Sequence, residues 1–174
     1  MTPRNTNGNS GKNPKDTAAA TTEDMPPADL YIDRMSASQA LAAMLANQAH
    51  AITALEAALP AIDAAADAAY QRLSTSDNGR LIYVGAGTSA RIGVQDGAEL
   101  PPTFNWPHHR IGFVIAGGEA ALLRAVENAE DSAETACTHI ADMGVAQNDV
   151  VIGLAASGST VFTTAALVAA GQAG

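Results

Sequence analysis

The stretch that decides the fold is GRLIYVGAGTSARIGVQDGAELPPTF, residues 79–104. It begins with a short apolar run, RLIYV, which leads into a glycine turn with adjacent hydroxyls at Thr88 and Ser89. Two further apolar runs, residues 111–116 and 149–155, are likewise followed by a glycine- or serine-containing turn and a helical segment. Strands that are buried on both faces have this composition in parallel sheets. The repeat of strand, turn and helix therefore predicts a doubly wound α/β sheet.

Composition divides the chain into three parts. The first is predicted to be a disordered polar tail, the second has apolar residues at helical spacing, and the third carries the strand signals; they span residues 1–28, 29–76 and 77–174. Ser36 and Gln39 form a capping-box pattern, which predicts a helix start. Pro60 predicts either a kink in this segment or the first turn of a second helix.

Charge and composition disfavour several classes of protein. The formal net charge of −9 argues against nucleic acid and anionic membranes as main partners, because little positive charge can neutralise phosphates. The single cysteine, Cys137, cannot form an internal disulfide. No apolar run approaches the roughly 18 residues of a membrane span, and His108 and His109 lack a metal-ligand spacing. We therefore expect a cytoplasmic protein without a metal site.

Two turns, GAGTSA at residues 85–90 and AASGST at residues 155–160, share a chemical pattern. Both combine glycine with hydroxyl side chains at the start of a predicted helix. Glycine lets the backbone approach an anion, the first N–H groups and the helix dipole attract it, and hydroxyls donate to its oxygens. Because ligands bind beyond the carboxyl ends of parallel strands, the two turns predict one shared phosphate site. Its expected residues are Gly87, Thr88, Ser89, Ser157, Gly158, Ser159 and Thr160.

A dinucleotide site is an alternative use of the first turn, since Gly85, Gly87 and Ala90 satisfy the pattern G-x-G-x-x-G/A after a strand. That fingerprint also requires an acidic residue at the tip of the second strand, where the sequence reads VIAGG before Glu119. Neither turn holds the lysine of a P-loop. The adjacent hydroxyls of the first turn suit a phosphate monoester better than a dinucleotide.

Longer strings of the sequence are more specific than either turn. GRLIYVGAGTSARIGV, AELPPTF, IAGGEAALLRAVENAED and DVVIGLAASGST follow one another in this order. They resemble the N-acetylmuramic acid 6-phosphate etherase family of the SIS, or sugar isomerase, domain proteins. The resemblance implies a three-layer α/β/α sandwich with a flavodoxin-like parallel sheet, preceded by a helical arm. Because family members continue through further strands, residues 77–174 are expected to hold the first three strands of an incomplete SIS domain.

The resemblance also implies a reaction. A lyase of this family cleaves the D-lactyl ether of N-acetylmuramic acid 6-phosphate to N-acetylglucosamine 6-phosphate and D-lactate, in cell-wall sugar recycling. Elimination followed by hydration requires two proton-transfer groups. The family's proton donor corresponds to Glu99 and its second acid/base to Glu130. No metal or organic cofactor is implied, and the residues expected to desolvate Glu99 are Leu100, Pro101, Pro102 and Phe104.

Relatives of this family build their sites at homodimer interfaces, and helix geometry gives this a consequence for Glu99. A helix from Ser89 to Glu99 would separate its two ends by roughly 15 Å. A phosphate at the first turn would then lie too far from Glu99 of the same chain for both to reach one sugar. Either the helix breaks early, at Gly93 or Gly97, or Glu99 serves a site whose phosphate the partner subunit holds.

The chain departs from the family pattern at several positions. Ala90 stands where the family usually has glycine, Leu100 follows Glu99 in place of a cysteine, and Ser159 occupies the position of an arginine in the second turn. Two other functions therefore stay open on the same fold. One is a non-catalytic regulator that binds a sugar phosphate, and the other is an aldose–ketose isomerase acting on a sugar phosphate.

Overall fold

The computed structural model describes residues 31–174, so the expected polar tail over residues 1–28 lies outside the described residues. A long helix is followed by alternating strands and helices. These elements are α1 (Ala37–Ser74), β1 (Leu81–Gly85), α2 (Gly87–Phe104), β2 (Ile111–Ile115), α3 (Ala120–Leu123), α4 (Ala133–Met143), β3 (Val150–Leu154) and α5 (Val161–Ala173). Each strand begins and ends within one residue of the apolar run that predicted it.

The strands form one parallel sheet in the order β2-β1-β3. β1 lies in the centre, where Tyr83 pairs with Phe113 on one side and with Ile152 on the other. This arrangement confirms the predicted α/β class with a parallel sheet. Because β1 and β3 are neighbours that run in the same direction, the turns that follow them lie side by side at one edge of the sheet.

Helices cover both faces of the sheet, because successive residues of a strand point to opposite faces. Ile82 and Val84 of β1 join α4 and α5 in the larger core cluster, in which Phe162 is fully buried. On the other face α2 and α3 pack in a smaller cluster that includes Ile115 and Ala121. The expected three-layer sandwich is therefore confirmed.

Helix α2 lies close to the sheet because two glycines face it. A Cβ on Gly93 would lie 3.3 Å from the Cβ of Tyr83, and one on Gly97 would lie 2.7 Å from the ring of Phe113. The two rings stack with centroids 6.0 Å apart, and the Tyr83 hydroxyl donates to Asp96 over 2.5 Å. Burial, together with this hydrogen bond, raises the pKa of Tyr83. Neither glycine interrupts the helix, so the alternative of an early helix break is wrong.

One ion pair fastens the amino ends of β1 and β3. The Arg80 side chain donates to Asp149 Oδ2 over 2.6 Å, and the Arg80 backbone N–H donates to Asp149 Oδ1 over 2.8 Å. Arg80 also donates to the carbonyl of Met143 at the end of α4, and Ala146 N–H donates to Asp149 over 3.0 Å. The pair therefore joins two strands and the α4–β3 loop at a buried carboxylate.

Helix α1 is a single helix of 38 residues that passes through Pro60, so the expected start of a second helix is wrong. A proline removes one backbone hydrogen bond, and the alanines around it have high helix propensity and give no other stop signal. The capping box is confirmed, since Ser36 Oγ accepts from Gln39 N–H and Gln39 accepts from Ser36 N–H over 3.0 Å. The helix buries no residue. Within residues 31–174 no helix is both long and apolar enough to cross a membrane.

Candidate functional site

The predicted site lies where β1 and β3 end and helices α2 and α5 begin. Gly87 opens α2 with φ of 54°, and Gly158 lies in the second turn with φ of 69°, values that favour glycine. The residues that precede the two helices, Ala86 and Thr160, make no side-chain cap. The first N–H groups of both helices are therefore available to a ligand, and both helix dipoles attract an anion.

The hydroxyls of the two turns line one cleft of about 440 Å³, which we call the hydroxyl cleft. Its wall contains the predicted phosphate-binding residues Gly87, Thr88, Ser89, Ser157, Ser159 and Thr160. Gly158 lies in the same turn but does not line the cleft. Within the second turn, Ser157 Oγ accepts hydrogen bonds from the backbone N–H and the hydroxyl of Ser159, at 3.2 and 3.1 Å. Segments about seventy residues apart in the chain thus present their hydroxyls to one space.

Glu130 lies on the wall of the hydroxyl cleft. It is exposed and belongs to a short 3-10 turn, Ala129–Asp131, that precedes α4. Asn128, in the left-handed region with φ of 60°, leads into this turn. The turn ends before α4 begins at Ala133, so Glu130 is not part of the solvent-exposed face of that helix. Asp131 lines the cleft as well, and sequence reasoning did not select it.

A second cavity of about 290 Å³, which we call the arginine cavity, adjoins the hydroxyl cleft. The two share Gly87, Thr88 and Glu130, together with Ala86. Arg91 and Arg124 line the arginine cavity only, and sequence reasoning missed both. The sequence did hold a signal for Arg91. It lies four residues after Gly87, and residues four apart share one face of a helix, so Arg91 is expected on the same face as the glycine turn.

Glu99 lies apart from both cavities. It is exposed on α2, eleven residues after Thr88, which is about 16 Å along a continuous helix. The apolar enclosure expected around it is incomplete among the described residues: Leu100 and Pro101 are half-buried, but Pro102 is exposed and Phe104 is 71% exposed. Among residues 31–174, no second layer covers these side chains at the end of α2.

No group of histidine, cysteine, aspartate and glutamate residues within the described part of the chain has the arrangement of a metal site. His108 and His109 lie in a 3-10 turn, His108–Arg110, that precedes β2. The turn is at the opposite end of the sheet from the hydroxyl cleft, because it leads into a strand rather than out of one. The site that the structure assembles therefore consists of hydroxyls, backbone N–H groups, arginines and carboxylates.

Comparison with known proteins gives the class to which this parallel sheet, with hydroxyl turns at its carboxyl edge, belongs. The family described as the glucokinase regulatory protein N-terminal SIS domain matches residues 64–171. The chain therefore belongs to the SIS-domain family. Within that class, the curated relatives that it resembles are N-acetylmuramic acid 6-phosphate etherases, as the sequence motifs predicted.

Three of these relatives show the extent of the similarity. The etherase of Psychromonas ingrahamii is 42% identical over 149 residues, which are 84% of this chain and 48% of that protein. The etherase of Pasteurella multocida is 40% identical over 156 residues, 90% of this chain and 51% of the relative. The etherase of Serratia proteamaculans is 42% identical over 156 residues, 90% and 52% of the two chains. The chain thus spans about half the length of the curated relatives it matches.

Proposed function

We propose that this protein is a carbon–oxygen lyase. It cleaves the D-lactyl ether of N-acetylmuramic acid 6-phosphate in the cytoplasm and yields N-acetylglucosamine 6-phosphate and D-lactate for cell-wall sugar recycling. The observation that carries the proposal is the hydroxyl cleft, in which the two Gly/Ser/Thr turns and Glu130 line one space. The names of the relatives support the substrate class. No metal or organic cofactor is part of the proposed reaction.

The hydroxyl cleft is proposed to bind the phosphate of the sugar. The backbone N–H groups at Gly87 and Thr88 point from the start of an 18-residue helix, whose dipole favours an anion there. Hydroxyls from the two turns would donate to the remaining phosphate oxygens. Ser159 supplies a hydroxyl on this wall where the family pattern has an arginine, so binding would depend on hydrogen bonds more than on a fixed charge.

Glu130 is proposed to move the proton at C2 of the open-chain sugar. The neighbouring C1 carbonyl acidifies that proton, and a carboxylate within reach can remove it in the elimination step. The lactate then leaves from C3 when an acid protonates its ether oxygen. Water adds at C3 of the unsaturated intermediate to complete the reaction. The position of Glu130 on the wall of both cavities supports a role at the middle of the sugar, beyond its phosphate.

Glu99 is proposed to be the proton donor of the partner subunit's site in a homodimer. The sugar chain from the phosphate at C6 to the ether oxygen at C3 spans only a few bonds. A distance of about 16 Å along α2 is too long for one chain to hold both ends. The exposure of Glu99 and of the apolar residues after it, Phe104 among them, leaves that surface open to a second copy.

A non-catalytic regulator is the second candidate function. One specific observation favours it: the matching family is described by a regulatory protein's SIS domain. The position of Glu99 outside the cleft also fits, because sugar-phosphate binding needs the two turns but no second carboxylate. A regulator would bind the same sugar phosphate without turning it over.

The deciding experiment is to incubate the chain with N-acetylmuramic acid 6-phosphate and to measure D-lactate by a coupled dehydrogenase assay. The lyase releases D-lactate and N-acetylglucosamine 6-phosphate in equal amounts. Glu130→Gln removes a general acid/base, so its rate of D-lactate release should be about 100-fold lower or more. The matched control is Glu134→Gln, an exposed glutamate in the first turn of α4, which should keep the parent rate. Saturable binding without any D-lactate would instead identify the regulator.

A further inference from the structure

The arginine cavity continues the hydroxyl cleft on the far side of Glu130. Gly87, Thr88 and Glu130 line both spaces, so a ligand whose phosphate lies among the hydroxyls can extend past Glu130 into the second cavity. The walls that the two spaces do not share differ in chemistry. Hydroxyls line one, whereas Arg91 and Arg124 line the other. The combined site is therefore suited to a ligand with two anionic groups.

Arg91 holds the segment that carries Arg124. Its guanidinium donates to the carbonyl of Ala121 over 2.9 Å and to the carbonyl of Arg124 over 3.4 Å. These bonds join α2 to the end of α3 and fix the backbone from which the Arg124 side chain extends. Arg91 is thereby a positioning residue, while Arg124 is the arginine whose guanidinium is available to a ligand.

Two other arginines, at the amino ends of β1 and β2, already have acceptors within the protein. Arg80 pairs with Asp149, and Arg110 donates to the carbonyls of Gly79 and Leu73. Among residues 31–174, the side chain of Arg124 donates no hydrogen bond and forms no ion pair, although Glu127 and Glu130 line the same cavity. A guanidinium on a cavity wall without a protein acceptor is a ready donor for a planar carboxylate, which it binds through two parallel hydrogen bonds.

We infer that Arg124 binds the carboxylate of the substrate's lactyl group and so determines specificity for the ether over its product. The inference rests on the proposed function. With the phosphate in the hydroxyl cleft and C2 and C3 beside Glu130, the lactyl ether at C3 extends into the arginine cavity. The product N-acetylglucosamine 6-phosphate carries the same phosphate but no lactyl carboxylate, so it gains nothing from Arg124. The product is therefore released more readily than the substrate.

The test compares the affinities of the two sugar phosphates by titration calorimetry. All proteins carry Glu130→Gln, so that the substrate is not consumed during the titration. The protein with Glu130→Gln alone, which serves as the parent, should bind N-acetylmuramic acid 6-phosphate more tightly than N-acetylglucosamine 6-phosphate. Arg124→Gln removes a charge-assisted bidentate contact, so its affinity for N-acetylmuramic acid 6-phosphate should be about tenfold lower or more. The second ligand should change less than twofold, because it never contacts Arg124.

Two further variants control the result. Arg124→Lys keeps the charge but loses the bidentate geometry, so its affinity for the carboxylate ligand should fall between those of the parent and Arg124→Gln. Arg72→Gln removes an arginine of α1 that lines neither cavity and should leave both affinities unchanged. The melting temperature of each variant shows that it is folded, and Arg124 is exposed, so its replacement removes no buried contact.

The outcomes separate this inference from the proposed function. If the parent binds both ligands equally, or if Arg124→Gln weakens both to the same extent, the carboxylate site is wrong while the phosphate site stands. If the parent binds neither sugar phosphate, the proposed function is wrong and the carboxylate site is wrong with it. If Arg124→Gln loses affinity only for N-acetylmuramic acid 6-phosphate, the result supports both the carboxylate site and the proposed function.

Discussion

At the scale of single residues, Asp149 shows how one buried carboxylate can join distant segments. Its two oxygens accept from Arg80 and from the N–H of Ala146. Burial alone would raise the pKa of Asp149, but the hydrogen bonds from Arg80 and Ala146, with the charge of Arg80, outweigh it and hold the pKa below its usual range. The hydrogen bond to Asp149 and the charge of that carboxylate raise the pKa of Arg80. Both groups are therefore charged at every pH near neutrality.

Replacing Asp149 by asparagine should lower the free energy of unfolding by about 3 kcal/mol, because Arg80 is left without its counter-charge. The loss should also depend on pH. Since the pKa of Asp149 is lower in the folded state, the stabilisation is complete above the unfolded-state pKa of roughly 4 and disappears as the pH falls through the folded-state pKa. Urea unfolding at pH 7 and at acidic pH measures both effects.

The matched control for this substitution is Asp142→Asn, an exposed aspartate in α4 that forms no ion pair among the described residues. It should change stability little at either pH. Equal stability losses for Asp142→Asn and Asp149→Asn at pH 7 would contradict the assignment of the effect to the buried pair.

Thr163 carries a buried polar group that, unlike the carboxylate of Asp149, is left without a hydrogen bond within residues 31–174. Its Oγ1 is buried and has no hydrogen-bond partner among the described residues, and the side chain is 3% exposed. Thr163→Val replaces the hydroxyl by a methyl group of similar size and should raise the free energy of unfolding by about 1 kcal/mol. Thr164→Val is the control, since its hydroxyl already donates to the Thr160 carbonyl and is exposed. A lower melting temperature for Thr163→Val would show that its hydroxyl has a partner in solution.

At the scale of the element, α2 determines where Glu99 of the proposed mechanism can act. It runs without interruption from Gly87 to Phe104, even though Pro101 and Pro102 lie in its last turn, and it ends at Asn105 in the left-handed region. Gly97 lets the helix approach the ring of Phe113. This close packing fixes the direction of α2, which carries its far end away from the hydroxyl cleft.

A larger side chain at Gly97 should push α2 away from the sheet. Gly97→Val places a branched side chain where a Cβ already lies 2.7 Å from the Phe113 ring, so we expect a loss of about 2 kcal/mol in unfolding free energy. Ala98→Val adds a side chain of the same kind at an exposed neighbour and has the same β-branched character in a helix. If both variants unfold at the same urea concentration, close packing at Gly97 is not what stabilises α2.

At the scale of the whole molecule, the proposed site needs two copies of the chain. One chain presents the hydroxyl cleft with Glu130, while its own Glu99 lies about 16 Å along α2 from Thr88 and outside the cleft. A two-fold homodimer brings equivalent surfaces together and would supply each cleft with the other chain's Glu99.

Subunit mixing tests this arrangement. Glu99→Gln removes the proton donor, and the combined variant Thr88→Ala, Ser89→Ala and Ser157→Ala removes phosphate binding; each homodimer should be inactive. In a mixed dimer one cleft has intact hydroxyls, Glu130 and an intact Glu99 from the other subunit. D-lactate release should therefore return at one site in two. Confirmed heterodimers, identified by native mass spectrometry, that remain inactive would contradict action of Glu99 across the interface.

The local features of this protein follow from its sequence. The three strands were predicted by apolar runs, the start of α1 by the capping box at Ser36, and the two hydroxyl turns by glycine beside serine and threonine. Family membership followed from ordered motifs. These signals are local because hydrogen-bonding period, helix capping and turn conformation depend on residues within a few positions of each other.

Only the tertiary structure decided which distant groups meet. The strand order β2-β1-β3 brings the turns after β1 and β3 to one cleft, and the 3-10 turn at Glu130 gives that carboxylate a place on its wall. The packing of Arg91 against the α3 carbonyls aligns Arg124 with the adjoining cavity. The close packing of α2 on the sheet at Gly97 leaves Glu99 outside both cavities. Distances between segments depend on how helices and strands pack, and a sequence period contains no information about them; for that reason Arg124 could not be selected, and the surroundings of Glu99 could not be predicted, before the fold was known.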